Sequence, residues 1–368
     1  MTNSFNLDNF LEKAVKSDAS DIHLKVGERP MLRKDGAILK VDMPAITKSD
    51  MDYIVNKVVP DFIKDQISKA TDLDFSYNLE GISRFRVNLA RCMAEFSLVF
   101  RVIPIYISNF EKLHLPAAIQ QFAEYNNGIV LVTGPTGSGK SSTLSSFLDY
   151  INANYQKHII TIEDPVEFVF KDKKCKVIQR QVGIDTKSFA DGVKYALRQD
   201  PDVILVGEIR DVETLDSALK AAETGHLVFS TMHTNDAVQT IYRIINMYNP
   251  EDRGTIRRQL AQTLRGTIAQ KLVKKAIGNG RVPACELLVV TPTVKDFIIK
   301  DQIDAIYDLV SKGSFNDMMT MNESLYKLAE MGEITKETAL EASDNKNELE
   351  QFFRGVYRGT KIDVDNKN

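Results

Sequence analysis

The spacing of apolar residues divides the chain into two parts with different periodicities. The first part opens with apolar residues at helical spacing in FNLDNFLEKAVK and continues with alternating apolar and polar residues in DIHLKVG and RPMLRKDGAILKV. Asp35-Gly36 interrupts the last stretch as a two-residue hairpin signal. Together these patterns predict a small α+β domain over residues 1–105.

Four continuous apolar runs dominate the second part: GIVLVTG, HIITIED, DVILVGE and HLVFSTMHT. Strands of this kind are buried on both faces and belong to a mainly parallel sheet that helices cover. The runs predict an α/β core over residues 117–300, joined to the first domain by a linker over residues 106–116. Helical spacing prevails from about Asn249 onward, including EDRGTIRRQLAQTLRGTIAQKLV, and predicts a helical C-terminal region over residues 301–368.

Composition and charge narrow the possible functions. The chain has 368 residues, with 47 Lys and Arg against 50 Asp and Glu, so its formal net charge is -3. Because no long basic block is present, nucleic acid is not a predicted partner. No apolar run approaches the roughly eighteen residues of a membrane-spanning helix, and the polar start MTNSFNLDNF does not resemble a targeting segment. The sequence predicts a cytoplasmic protein without direct membrane insertion.

The stretch VTGPTGSGKSSTL contains the pattern G-x-x-x-x-G-K-[ST] between an apolar run and a helical pattern, the context of a phosphate-binding loop. Glycines let backbone N–H groups approach phosphates, and the helix N-terminus adds positive potential. Lys140 is expected to reach the β- and γ-phosphate oxygens, and the Ser141 hydroxyl to bind Mg²⁺. The predicted ligand is ATP with Mg²⁺, bound by Gly134, Pro135, Thr136, Gly137, Ser138, Gly139, Lys140, Ser141 and Ser142.

Carboxylates follow two of the other apolar runs. Glu208 ends DVILVGE, at the strand end where ligands bind in parallel sheets, and is expected to activate the attacking water and to contribute to the Mg²⁺ shell. Glu163 ends HIITIED, next to Asp164 and near Glu167. Carboxylates clustered this close to phosphates need a cation between them, which suggests a metal-shell or coupling role.

Histidines and arginines complete the candidate site. His226 begins the fourth run and His233 lies near its end, without the spacing of a zinc site, which favours a phosphate-sensing or subunit-interface role over metal binding. Phosphoryl transfer also uses a mobile arginine, and the phosphate-binding loop contains none. The candidates are Arg210 beside Glu208 and, in the first domain, Arg84, Arg86 and Arg101.

In four motifs the chain resembles the secretion ATPase superfamily, matching its Walker A, Asp-box, Walker B and His-box sequences in order and spacing: GPTGSGKSSTL, TIEDPVEF, ALRQDPDVILVGEIRD and ETGHLVFSTMHTNDA. Within that superfamily, DASDIHL, RFRVN, FRVIP and GTIAQKL are similar to the PilT/PilU group of pilus retraction ATPases. This second resemblance extends over nearly the whole chain.

The resemblance implies a hexameric ring of subunits, each with a PAS-like N-terminal domain and a RecA-like P-loop ATPase core. It implies that Glu208 and Glu163 are catalytic, and that Arg86 and Arg101 complete the nucleotide site. His226 and His233 match the His-box pair, His226 as a nucleotide-binding residue and His233 as a catalytic one.

The implied function is that of a motor that hydrolyses ATP to power retraction of type IV pili and twitching motility. Its implied location is the inner face of the cytoplasmic membrane, and its implied partners are an inner-membrane platform protein and a paralogous pilus ATPase. One segment departs from the group. Where retraction ATPases carry Ala-Ile-Arg-Asn-Leu-Ile-Arg-Glu, this chain has TVKDFIIK, residues 293–300. The change keeps a PilU-like accessory motor and an extension ATPase as alternatives.

Three other functions share the phosphate-binding loop. The first is a RecA-like motor that translocates nucleic acid, against which the acidic charge balance argues. The second is a structural ring member that binds ATP with little turnover. The third is a small-molecule kinase, although no acceptor pocket or lid can be identified from the sequence.

Overall fold

A computed structural model describes residues 5–34, 36–103, 107–278, 280–312 and 317–355. These residues form two compact units, Met1–Tyr106 and Ile107–Asn368. The predicted linker includes residue 106, which lies outside the described residues, and the boundaries of the linker and of the C-terminal region stay predictions. None of the helices in the described ranges is long and apolar enough to cross a membrane.

The first unit is a six-stranded antiparallel sheet with helices on one face. Its strands are arranged in the order β3-β2-β1-β6-β5-β4. Their bounds are β1 Asp21–Lys25, β2 Met31–Lys34, β3 Ala37–Lys40, β4 Asp72–Leu79, β5 Ser83–Cys92 and β6 Glu95–Ile103, and the helices are α1 Leu7–Lys16, α2 Lys48–Val58 and the 3-10 helix Asp61–Gln66. Apolar side chains of α1 and α2 pack on one face of the sheet and form its core. The predicted α+β fold is confirmed.

Local sequence explains the elements of this unit. The Asn6 side chain caps α1 by accepting from the Asn9 amide at 3.1 Å, and Thr47 with Asp50 forms a capping box at α2. β2 and β3 pair around the predicted hairpin turn, in which Asp35 lies outside the described residues.

The second unit contains a seven-stranded sheet in the order β13-β12-β7-β11-β10-β8-β9. Its strands are β7 Gly128–Thr133, β8 His158–Glu163, β9 Lys176–Gln181, β10 Val203–Val206, β11 Leu227–Met232, β12 Leu264–Lys274 and β13 Arg281–Val289. All neighbours are parallel except β12 and β13. The four apolar runs form β7, β8, β10 and β11, so the predicted parallel α/β core is confirmed.

Helices cover this sheet and form the C-terminal region. Their bounds are the 3-10 helix Ala117–Ala123, α3 Lys140–Asn154, α4 Phe189–Ala196, α5 Val212–Glu223, α6 Ala237–Asn246, α7 Arg253–Thr263, α8 Pro292–Ile299, α9 Ala305–Val310, α10 Met321–Glu330, α11 Lys336–Ala342 and α12 Lys346–Phe353. The predicted helical C-terminal region is confirmed within the described residues. Thr320 and Glu323 form a capping box at α10, and Thr335 caps α11.

The prediction of helix for LRGTIAQKLV is wrong, because this stretch belongs to β12, which is followed by β13. Leu264, Ile268 and Leu272 recur at helical spacing, but a strand buried on both faces can show the same pattern. Gly266 shows how closely the strand is packed, since a Cβ atom there would lie 2.3 Å from the Phe122 ring. Strand pairing with β7 and β13 therefore overrides the local helical pattern.

A buried carboxylate joins the sheet to two helices. Glu286 on β13 accepts a hydrogen bond from the Ala237 amide at 2.8 Å, at the start of α6, and another from the Met321 amide, at the start of α10. Burial, reinforced by the nearby Asp236 charge, raises the pKa of Glu286 to about 7, although the two backbone hydrogen bonds and the charge of Lys271 oppose this shift. The folded state therefore favours the protonated carboxyl of Glu286 more than the unfolded chain does.

Replacing Glu286 by Gln is expected to flatten the pH dependence of stability. Because folding raises this pKa from its ordinary value of 4.5, the contribution of Glu286 is most favourable below pH 4.5 and is lost as the pH rises to about 7. The loss is on the order of 3 kcal/mol. Urea midpoints at pH 5 and pH 8 should differ less for E286Q than for the wild type. Equal pH profiles for both proteins, or the same flattening in an E251Q control at an exposed position, would contradict the assignment.

Candidate active site

The phosphate-binding loop connects β7 to α3. Thr133 ends the strand, Lys140 begins the helix, and Gly134 and Gly139 adopt φ values of +140° and +90°. A Cβ atom at Gly134 would lie 2.3 Å from the Gln270 carbonyl oxygen. The loop therefore needs glycine for both backbone conformation and space. Its backbone turns into the N-terminus of α3, the geometry that binds phosphate in other P-loops.

Lys140 is folded into this loop. Its Nζ atom donates to the carbonyl oxygens of Gly134 at 2.9 Å and Pro135 at 3.0 Å. Burial lowers the pKa of Lys140, while the negative charges of Glu208 and Glu167 oppose that shift. These carboxylates therefore favour the charged form of the ammonium group, as a phosphate ligand requires.

A cavity of about 390 Å³ opens above the loop. It lies at the edge of the sheet where β7, β11, β10 and β8 end, so residues distant in sequence meet there. The predicted residues that line it are Thr136, Gly137, Gly139, Lys140, Ser141, Ser142, Glu163, Glu208 and His233. Within the described ranges, no cluster of three or more His, Cys, Asp or Glu side chains is arranged to hold a metal ion without further ligands.

Glu208 follows β10 and faces this cavity with a side chain that is 14% exposed. Its Oε2 atom pairs with the Arg210 Nε atom at 2.6 Å and lies 3.6 Å from the His233 Nε2 atom. Gly207 precedes it, where a Cβ atom would lie 3.3 Å from the Ile162 carbonyl oxygen. A Cβ atom at 207 would make a tight contact, so glycine fits this position best, and Glu208 is the carboxylate of this strand end.

Glu163 is almost fully buried at the end of β8. Its Oε1 atom accepts hydrogen bonds from the Thr161 hydroxyl at 2.6 Å and the Gln179 amide at 3.1 Å. Burial raises the pKa of Glu163, and these hydrogen bonds only partly counteract it. Glu163 is therefore held rigidly at the cavity wall, with its protonated form favoured more than that of a free glutamate.

The comparison with protein families agrees with this geometry. The model of the family described as "Type II/IV secretion system protein" matches residues 4–356. The chain belongs to this family. The predicted resemblance to the PilT/PilU group is confirmed by the individual relatives.

Some relatives within the family are similar over nearly their whole length. The type IV pilus retraction ATPase PilT of Pseudomonas aeruginosa is 40% identical over 328 residues, which cover 89% of this chain and 95% of the relative. The type IV pilus ATPase PilU of the same organism is 34% identical over 355 residues, 96% of this chain and 92% of the relative. A crystal structure of the pilus retraction motor PilT with bound ADP matches with a TM-score of 0.89 and 44% identity, over 94% of this chain and 99% of that chain.

His226, predicted to bind nucleotide, does not lie at the cavity of its own chain. His226 precedes β11, and its carbonyl oxygen accepts from the Gly128 amide at the start of β7. The phosphate-binding loop lies beyond the other end of these strands, roughly 20 Å away at the usual rise per residue. The His226 Nδ1 atom instead lies 3.0 Å from the Ala221 carbonyl oxygen. His226 thus does not line the cavity, whereas His233 does.

The two arginines that are predicted to complete the nucleotide site lie in the first unit. Arg86 on β5 and Arg101 on β6 are direct cross-strand partners on the face of the sheet opposite the helices. The Arg101 Nε atom pairs with the Asp21 Oδ1 atom at 2.8 Å, and the Arg86 Nε atom lies 3.9 Å from Asp74 Oδ1. Burial alone would raise the pKa of Asp21, but hydrogen bonds from Arg101 and Ser20 lower it overall.

Sequence reasoning missed the side chains that support the site. Gln179 on β9 donates to Glu163 and to the Phe168 carbonyl oxygen at 2.7 Å, bridging the strand and the segment that follows Glu163. The sequence marks Gln179 only weakly as a residue near the site, because β9 lacks a continuous apolar run. The ion pair between Arg210 and Glu208 could be predicted from the sequence, because both residues belong to GEIRD.

Proposed function

We propose that the protein binds Mg·ATP in this cavity and hydrolyses it. The observation that carries the proposal is the convergence of the Lys140 loop, Glu208 and His233 at one edge of a parallel sheet. The family relationship and the similarity to an ADP-bound motor support it.

The residues have separate roles in this proposal. The loop amides and Lys140 hold the phosphates, and the Ser141 hydroxyl with Glu208 provides ligands for the Mg²⁺ that accompanies ATP. Mg²⁺ keeps several waters and binds through phosphates and one or two protein groups, so this small ligand set is sufficient. Glu208 orients the attacking water and accepts its proton, His233 faces the γ-phosphate, and Glu163 supports the wall of the site.

We propose further that hydrolysis is coupled to mechanical work in a homo-hexamer that retracts type IV pili and supports twitching motility. The PilT relative, similar along nearly its full length, supports this assignment. In this proposal the ring acts at the inner face of the cytoplasmic membrane, through a platform protein and beside a paralogous pilus ATPase. Arg86 and Arg101 complete the nucleotide site.

An accessory, PilU-like role is the second candidate, favoured by one segment. Residues 293–300 belong mainly to α8, where Val294 and Ile298 are buried and Ile299 is 46% exposed. The apolar positions shared with retraction ATPases thus face the core, and Ile299 and Lys300 replace charged residues at the surface. Such changes would alter what α8 contacts rather than the chemistry in the cavity. The PilU relative supports the same reading.

Deletion of the gene, followed by counting of surface pili and a twitching assay, tests these roles. Excess pili without twitching would support retraction, near-normal numbers with impaired retraction under load would indicate the accessory role, and absent pili would indicate extension. Complementation with wild type but not with E208Q would link the phenotype to hydrolysis.

Assays of the purified protein distinguish the three remaining functions. Slow hydrolysis by the protein alone would favour a structural ring member. Strong stimulation by DNA or RNA at low salt would favour a nucleic-acid motor. Phosphorylated small-molecule products would favour a kinase.

A further inference from the structure

Gln270 lies behind the phosphate-binding loop. It follows Ala269, which pairs with Thr133 at the end of β7, so it stands beside the point where the loop begins. Its side chain is 1% exposed and does not line the cavity. Any influence of Gln270 on nucleotide binding must therefore pass through the residues it contacts.

Both ends of the Gln270 amide are bonded to the loop and its helix. Its Nε2 atom donates to the Ser138 carbonyl oxygen at 2.6 Å, and its Oε1 atom accepts from the Thr143 hydroxyl at 2.9 Å. Ser138 belongs to the loop, and Thr143 belongs to the first turn of α3. One side chain thus connects the loop to the start of the helix whose N-terminus faces the cavity.

The glycines of the loop pack against the same residue. A Cβ atom at Gly134 would lie 2.3 Å from the Gln270 carbonyl oxygen, and one at Gly139 would lie 3.1 Å from its Nε2 atom. The loop backbone therefore rests on Gln270 at both ends, and a shift of Gln270 would move the loop.

The chemistry of these contacts requires an amide. The Ser138 carbonyl only accepts, so it needs a donor, while the Thr143 hydroxyl donates to an oxygen. A carboxylate would place an acceptor against the Ser138 carbonyl, and an apolar side chain would leave both buried partners unsatisfied. Glutamine alone satisfies both contacts at this length.

We propose that Gln270 is a positioning residue for nucleotide binding, which holds the loop so that its amides remain directed at the phosphates. The inference rests on the proposed ATPase function. It predicts that loss of either hydrogen bond weakens nucleotide binding more than it lowers the stability of the fold.

The test uses the full chain with Q270M, which keeps the length and removes both hydrogen bonds, and Q270E, which keeps the acceptor only. Titration with ADP and steady-state hydrolysis of Mg·ATP give Kd, KM and kcat. We expect Kd and KM to rise about tenfold or more in both variants. A merely structural role would reduce the active fraction, and so the apparent kcat, without changing KM.

Thr267→Val is the matched control. Thr267 is fully buried on the same strand, and its hydroxyl has no hydrogen-bond partner among the described residues. Its variant should keep the wild-type Kd and KM. T143V removes only the donor to Gln270, so it tests the same contact if Q270M fails to fold. Where Q270M folds, the effect of T143V should be less than additive with that of Q270M, which already lacks this hydrogen bond.

The possible outcomes separate the two proposals. Wild-type protein that binds ADP, together with a folded Q270M or T143V whose Kd is within twofold of the wild type, would overturn the role of Gln270 alone. Wild-type protein that binds neither ADP nor ATP would overturn the proposed function and this inference with it.

Discussion

Replacing Glu208 by Gln is expected to leave ATP binding nearly intact and to slow hydrolysis by about 10²- to 10⁴-fold. The amide is isosteric with the carboxylate and keeps an oxygen that can accept from the Arg210 Nε atom, now 2.6 Å away. It cannot accept a proton from the attacking water. The variant should therefore keep the shape of the site while losing its base.

Two measurements on purified E208Q test this expectation: the Kd for ATP and the single-turnover rate of hydrolysis. Glu213→Gln is a suitable control, because Glu213 is an exposed carboxylate at the start of α5, five positions along the same segment. If E208Q hydrolysed ATP at the wild-type rate, Glu208 would lose its proposed role. An equal loss in E213Q would point to a general effect of charge.

The central sheet could be predicted from sequence because its strands are buried on both faces. β7, β10 and β11 are buried at every position, and such strands appear as unbroken runs of apolar residues. Parallel strands also end at a common edge, so motifs after separate runs could be expected to meet. The Lys140 loop, Glu208 and His233 can thus be predicted from the sequence to lie together.

β12 could not be predicted in the same way. Its apolar residues recur at helical spacing directly after α7, and nothing local marks the change from helix to strand. The sequence alone therefore does not indicate that Gln270 supports the loop. Its partner Ser138 lies 132 residues earlier in the chain, and only the pairing of β12 with β7 brings the two together.

His226 is the opposite case, because its predicted role does not follow from the cavity of its own chain. Its role is implied by resemblance to the family's His-box, although it stands at the start of the apolar run rather than at its end. In a parallel sheet the two ends of a strand lie at opposite edges, so the direction of β11 alone separates His226 from the cavity. His226 could contact nucleotide only if that nucleotide were bound to a different subunit of the proposed hexamer.

Arg86→Ala is expected to reduce ATP hydrolysis by about 10³-fold, with little loss of folding stability. In the proposed function, this arginine stabilises negative charge on the transferring phosphoryl group. Within the first unit, Arg86 stands directly opposite Arg101, and like charges on paired strands are destabilising. Its nearest carboxylate oxygen, on Asp74, is 3.9 Å away and exposed. Removing Arg86 therefore relieves repulsion and costs little attraction.

The same substitution at Arg101 should lower both activity and stability, because Asp21 is only 8% exposed and would lose its 2.8 Å partner. Hydrolysis rates and urea midpoints for R86A, R101A and the control R33A separate these effects. Arg33 on β2 pairs with Asp21 on β1 and lies on the same face of the sheet, with its Nε atom 3.9 Å from the Asp21 carboxylate. If R33A lost as much activity as R86A, the positive charge of the whole face would explain the result. If R86A hydrolysed ATP normally, the site would have to be completed by another cation, and Arg210 beside Glu208 would be the first to examine.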